Sequence, residues 1–272
     1  MGVDKEFAFS RQDFTQIKEK LYRMTGIKLS DSKDSLVYSR LSRRLRKLQL
    51  ADFQSYLRFL NKNQVEEESF INALTTNLTS FYREPHHFPL LKQYLLKHPG
   101  KKRIWCAASS TGEEPYSIAM TVAEAYQSFD TPVEIVASDI DSAVLAHAGN
   151  GEYKLSDIKE IDLKKRKQFF YKGVKNKSGM VRVVPELRKM VSFRQINLTD
   201  KNWHIEPQID VLFCRNVMIY FDKQTQQKIL ERMVALMPRD GLYVAGHSEN
   251  FGHLGHIVTP IGQTIYQPLK GT

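Results

Sequence analysis

Arg103 to Ala108 reads RIWCAA, and Ser109 to Pro115 reads SSTGEEP. The first is a short apolar run closing on small residues, the pattern of a buried strand. The second runs through small residues into two glutamates and a proline, which a helix tolerates in its first turn. Together they predict a strand, a connection whose backbone a ligand can approach closely, and a helix over about 113–129. Downstream the alternation repeats. Val133–Ser138 reads as a strand, Ser142–Ala148 as a short helix and Ile209–Cys214 (IDVLFC) as a buried strand. A helix over about 223–237 and a strand at Gly241–Ala245 follow. Such alternation predicts an α/β fold with a mostly parallel sheet covered on both faces. The runs near Ile257 and over Thr264–Gln267 predict an antiparallel edge.

Upstream the periodicity is helical. Ser10 and Asp13 have capping-box spacing, and Phe14, Ile17, Leu21 and Met24 follow on one face, with Gly26 as the stop. A second helix starts near Asp31–Asp34 and aligns Val37, Leu41, Leu45 and Leu48; a third follows Asp52; Phe70, Ala73 and Leu74 mark a fourth. No strand pattern precedes about residue 100, so a small all-α N-terminal domain (1–80) precedes an α/β domain (81–272). One stretch interrupts the alternation. Tyr171–Phe193, with Gly173 and Gly179 inside it, reads as a small antiparallel β subdomain.

Lys plus Arg (40) outnumber Asp plus Glu (30), a net charge of +10 that favours an acidic partner. Cys106 and Cys214 lie in apolar runs and read as buried thiols of a reducing cytoplasm. Neither an apolar signal core nor a membrane-length run is seen, so a cytoplasmic location is expected.

Ligands of an open α/β sheet bind beyond the carboxyl ends of the strands. Ser109–Pro115 is not a G-x-G-x-x-G loop, and its Glu113 and Glu114 would repel a pyrophosphate but attract an ammonium group. Asp139, at the end of the next strand, is placed to accept from ribose hydroxyls. A nucleoside carrying a cationic amino acid, S-adenosylmethionine, satisfies both. Helix capping and dipole compensation are the competing roles of these acids.

Five stretches carry a family resemblance: NLTSFYRE (77–84), AASSTGEEPYSIAM (107–120), ASDID (137–141), CRNVMIYFD (214–222) and GHSENF (246–251). In this order they resemble the chemotaxis receptor glutamate methyltransferases, the CheR family. The resemblance implies a Rossmann-like methyltransferase domain with an inserted antiparallel β subdomain, at about 171–193 here, behind the helical domain. It implies methylation of receptor glutamates from S-adenosylmethionine, leaving S-adenosylhomocysteine and using no metal. Carried over by motif, Asn77, Thr79, Arg83, Glu114, Asp139, Asn197, Leu198, Arg215 and Asn216 bind the cofactor, Glu114 at the amino group and Asp139 at the ribose. Glu113 is the alternative to Glu114.

Arg215 and Tyr220 are the expected catalytic pair, holding the acceptor carboxylate by a two-point contact and a hydrogen bond. An ion pair of Arg215 with Asp210 or Asp222 is the competing role. Arg40, Arg43, Arg44 and Lys47 share one helical face, a basic stripe for the acidic methylation helices of a receptor. Some family members also bind a receptor C-terminal peptide through the β subdomain. In this chain KGVKNKSGMVRV puts lysines between the glycines, a departure from that pattern. A monomer without nucleic-acid partners is expected. A cofactor-binding adaptor and a nucleic-acid methyltransferase are the rival functions. His86 and His87 read as surface or packing residues. His247–Ser248 lacks the G-x-S-x-G setting of a hydrolase.

Overall fold

A computed structural model describes residues 6–269. The chain up to Thr76 together with Tyr220–Thr225 forms one compact unit, and Asn77–Ile219 with the chain from Gln226 onward forms the other.

In the first unit the caps act where the sequence places them. The Asp13 N–H donates to Ser10 Oγ (3.1 Å) and the Ser10 N–H to Asp13 Oδ2 (2.9 Å), opening helix α1 (Arg11–Thr25). Gly26 closes it at φ 72°. Helices α2 (Asp34–Leu48), α3 (Phe53–Leu60) and α4 (Gln64–Leu74) follow, the last two capped by Asp52 and Asn63. Phe14, Ile17, Leu21, Val37, Leu41, Leu45, Phe53, Tyr56, Leu60 and Phe70 are all buried in one core. Two hydrogen bonds illustrate how the segment 220–225 joins this unit. The Lys28 N–H donates to the Tyr220 carbonyl (2.8 Å), and the Tyr22 hydroxyl to Asp222 (2.6 Å).

The second unit is built on strands β1 (Lys102–Cys106), β2 (Val133–Asp139), β3 (Glu152–Lys154), β4 (Phe170–Lys172), β5 (Met180–Val183), β6 (Val191–Gln195), β7 (Val211–Cys214), β8 (Leu242–Ala245), β9 (Val258–Gly262) and β10 (Ile265–Pro268). Seven form one sheet in the order β6-β2-β1-β7-β8-β10-β9. The first five of these are mutually parallel, and β10 and β9 add an antiparallel edge. Ile104 registers against Ile135 on one side and Val211 on the other. Helices α5 (His87–Lys97), α6 (Glu113–Tyr126), α7 (Ser142–Asn150), α8 (Leu163–Phe169), α9 (Pro185–Lys189) and α10 (Lys223–Ala235) complete the order. Helix α6 is buried from Glu114 to Ala123, which is why its sequence is apolar almost all round.

The small sheet is bounded differently from the expected 171–193. It pairs β3, β5 and β4 antiparallel and begins at Glu152. Val191–Gln195 instead joins the large sheet, parallel to β2, with Ile135 opposite Val191. A parallel return needs a crossover, and the five-residue α9, led by Pro185, helps to make it. So short a helix has no periodicity to read.

Candidate functional site

The chain leaves β1 toward β2 and β6 on one side and builds β7 and β8 on the other, so strand order reverses between β1 and β7. A crevice for ligands is expected beyond the carboxyl ends of these strands. The loop after β1 is held open by backbone bonds to its neighbours: Ala107 N–H to Phe213 O (2.8 Å) and Ser109 N–H to Ser138 O (2.8 Å). It turns into α6 through Gly112 at φ 101°, where a Cβ would lie 2.7 Å from Tyr153 Oη and 2.8 Å from Ala148 Cβ. Glycine is required there by conformation and by space.

Glu114 and Arg215 meet at this point. Arg215 Nη1 donates to Glu114 Oε2, while Nη2 donates to the Arg83 carbonyl (2.7 Å) and pairs with Glu84 Oε2 (3.2 Å). Its side chain is 1% exposed. The Cys106 thiol donates to Glu114 Oε1 (3.3 Å). Burial pushes the Glu114 carboxyl above its ordinary value, and the Arg215 charge offsets this only in part. Burial also pushes Glu84 upward, but Arg215 and the His247 N–H outweigh it and hold that carboxyl low. Glu113 faces elsewhere, accepting from the Thr111 hydroxyl (2.6 Å). Arg215 is expected to grip an acceptor carboxylate; here its guanidinium pairs with two carboxylates of its own chain, the counter-charges that burial at this depth demands. The alternative partners fail too: Asp210 pairs with Lys102 (3.2 Å) and Asp222 bonds Tyr22 (2.6 Å).

Asp139 ends β2 with its carboxylate accepting the Ser110 N–H (2.8 Å) and the Asp141 N–H (3.0 Å). Burial raises its pKa against these two donors. Asp141 caps α7 and also accepts from Asn77 Nδ2 (2.8 Å), while the Asn77 carbonyl accepts from Ser110 Oγ (2.9 Å). The structure therefore gathers Asn77, Glu114, Asp139 and Arg215 around the loop after β1. Thr79 is half-buried, and Arg83 turns its guanidinium to the Leu78 carbonyl (3.0 Å). Asn197 and Leu198 follow β6, whose end is tied to β2 by Ile196 N–H to Asp139 O (2.9 Å). Asn216 sits at φ 58°. A Cβ on Gly246 would come within 2.4 Å of its Nδ2.

Two residues of the site were not singled out from the sequence. Glu84 bridges Arg215, and Glu249 fastens the turn that follows β7. The buried Glu249 carboxylate accepts N–H bonds from Val217 (3.0 Å), Met218 (2.8 Å) and Gly246 (2.6 Å). Burial raises its pKa despite these donors. Both lie inside stretches that carried the family resemblance, but Arg215 is far from Glu84 in sequence, and Val217 and Met218 are more than thirty residues from Glu249.

In the helical unit the basic stripe divides. Arg40 donates to the Ala73 carbonyl (3.3 Å) and to that of Thr75, capping the end of α4. Arg44 pairs with buried Glu66 (Nε to Oε1, 2.9 Å), which also accepts from the Tyr56 hydroxyl (2.8 Å). Arg43 and Lys47 are exposed. Tyr220 is half-buried at the end of a 3-10 turn, Met218–Tyr220.

Comparison with known families accounts for both units. The model described as CheR methyltransferase, all-alpha domain, matches residues 12–75, and that of the CheR methyltransferase SAM binding domain matches residues 77–266. The chain belongs to the CheR methyltransferase family. Among its relatives is chemotaxis protein methyltransferase 2 of Pseudomonas aeruginosa, 55% identical over 269 residues, covering 97% of this chain and 96% of that one. The chemotaxis protein methyltransferases of Salmonella typhimurium and Escherichia coli are each 47% identical over 268 residues, covering 98% of this chain and 93% and 94% of theirs. The donor chemistry of this CheR site fits S-adenosylmethionine. Glu84 and Glu114 share one guanidinium, Arg215, and Asp139 adds a third carboxylate held by backbone N–H groups alone. The surplus negative charge at the carboxyl edge of the sheet suits a cation and opposes a phosphate.

Proposed function

We propose that this protein transfers methyl groups from S-adenosylmethionine to glutamate side chains of chemoreceptors, forming methyl esters. The observation that carries this is the buried, net-negative cluster of Glu84, Glu114, Asp139 and Arg215, in a chain that both CheR domain models span. In this reading Glu114 receives the amino group of the cofactor and Asp139 the ribose hydroxyls. Asn77, Thr79 and Arg83 line one side, Asn197 and Leu198 adjoin the adenine, and Asn216 adjoins the reacting end. When bound, S-adenosylmethionine supplies an electrophilic methyl on a sulfonium. A glutamate acceptor has an ordinary pKa of about 4.3, so it is ionised at neutral pH and needs no base. The work left to the protein is alignment and exclusion of water. Arg215 is a positioning residue that fixes the Glu114 carboxylate. Tyr220 offers a hydroxyl to orient the acceptor. Arg43 and Lys47 offer exposed positive charge to the acidic methylation helices.

The test is transfer of radiolabelled methyl from S-adenosylmethionine to membranes containing chemoreceptors, followed by mild alkali. Alkali-labile label on receptor bands is expected, because esters hydrolyse where methylated amines and amides survive. Label on nucleic acid, or cofactor binding with no transfer, would overturn the acceptor assignment. Unchanged turnover in Tyr220→Phe would remove the tyrosine from the scheme.

A further inference from the structure

Glu84 of the cluster just described also faces a second group, histidines that methyl transfer does not require. His87 opens α5 and is 1% exposed. Its Nε2 lies 3.0 Å from the Gln263 carbonyl and 2.9 Å from Thr264 Oγ1. A carbonyl can only accept, and the Thr264 hydroxyl already donates to the Ala245 or Gln263 carbonyl (3.0 and 2.6 Å). Both partners therefore accept, so the proton of the neutral ring sits on Nε2. Nδ1 is then a bare lone pair. It is buried, makes no hydrogen bond, and faces Glu84 Oε2 at 3.9 Å. That oxygen is also buried and receives no hydrogen bond; Arg215 at 3.2 Å is its nearest counter-charge. Two acceptors thus face each other across a gap with no donor between them.

A third donor atom completes the group. One ligating atom from each of Glu84, His86 and His87 lies within 4.8 Å of the other two. The His86 ring stacks on His247 with centroids 5.0 Å apart and planes 5° apart. His247 Nε2 is 4.0 Å from Glu84 Oε2. We propose that Glu84, His86 and His87 form a site for a divalent first-row transition cation, of which zinc is the best match, with His247 beside it as a fourth donor. Two imidazoles and one carboxylate are an established zinc set, and this one is not suited to magnesium or calcium. The hydrogen bond from His87 Nε2 to the Gln263 carbonyl is the outer contact that metal-bound histidines make, because it leaves the other nitrogen free to ligate. Arg215 does not oppose the cation outright. It keeps Glu114 and the Arg83 carbonyl when Glu84 turns to the metal.

The test uses the untagged full chain, freed of metal by a chelator and titrated with Co²⁺ alone. A saturable visible absorption at one cobalt per chain is expected, displaced by Zn²⁺. His86 is half-buried, so His86→Gln should fold, and its affinity should fall at least about tenfold. Glu84→Gln should lose affinity as well, and His253→Gln, on an exposed residue outside the group, should not. Absence of saturable binding, or unchanged titration in both His86→Gln and Glu84→Gln, would overturn the site. The readout needs neither cofactor nor receptor, so it stands apart from the methyl-transfer reading.

Discussion

Each unit buries a glutamate against an arginine, and the two pairs are finished differently. In the helical unit Glu66 meets Arg44 and Tyr56, one acid, one base and one hydroxyl, and the group is neutral. In the methyltransferase unit Arg215 is shared between Glu84 and Glu114, and its Nε has no hydrogen-bond partner. A neutral, closed group contributes only to the fold. A group with surplus charge costs stability and is retained where a ligand completes it.

The largest effect should come from removing each arginine. Arg215→Ala leaves two buried carboxylates without a counter-charge and should cost about 3–5 kcal/mol in thermal or urea melts, with loss of cofactor binding. Arg44→Ala should cost a similar amount, yet Arg44→Met with Glu66→Leu should recover most of it and bind cofactor normally. If an apolar replacement of Arg215 and Glu114 also bound cofactor, the contrast between the units would fail.

Next in size is Glu249→Gln, which points an amide donor at N–H groups that need acceptors. It should cost about 1–3 kcal/mol and weaken cofactor binding through the turn at 215–218. Wild-type affinity in the folded variant would make Glu249 purely structural.

The pH dependence separates the units further. Burial raises the folded pKa of Glu114 and Asp139, so in the free protein their contribution to stability is present at low pH and lost as pH rises through those raised values. A cationic ligand needs both ionised. Cofactor affinity should therefore fall as pH drops from neutrality through the raised values, with proton release on binding at those pHs. Calorimetry in two buffers of different ionisation enthalpy would measure the release. Asp13 in the helical unit goes the other way. Burial pushes it up, but bonds from Ser10 and Gln54 hold it low. Its stabilisation is present above its unfolded pKa and disappears as pH falls through its lowered folded value.

The smallest effect on stability should come from Arg43→Ala with Lys47→Ala. Both side chains are exposed, so melts should move by no more than about 0.5 kcal/mol while the KM for receptor membranes rises. Arg40→Ala should lower stability instead, because it removes the cap on α4.

What the sequence made legible was local. The capping box at Ser10, the stop at Gly26, and the strands read over 103–108 and 133–138, which form β1 and β2, all follow from spacing within a few residues. Helix α5 was not anticipated, because Pro85, two histidines and Pro89 blur its opening turn. Strand β6 was assigned to the wrong sheet, since a strand's neighbour cannot be read from its own alternation. The sharing of Arg215 was equally hidden. It joins residues 101 positions apart for Glu114 and 131 apart for Glu84. Arg40 and Arg44 looked like surface charge because periodicity shows a face and not what lies against it.

The six residues Tyr220–Thr225 have a practical consequence. They pack with the helical unit although the chain on either side belongs to the other, so the polypeptide passes between the units three times. A protease cut after Thr76 would sever one passage and leave the Tyr220 carbonyl and the Asp222 carboxylate bonded to Lys28 and Tyr22. The nicked fragments should co-elute on gel filtration. A catalytic fragment expressed from residue 77 would carry the same hexapeptide stripped of its partners, and it should express less soluble protein than the intact chain.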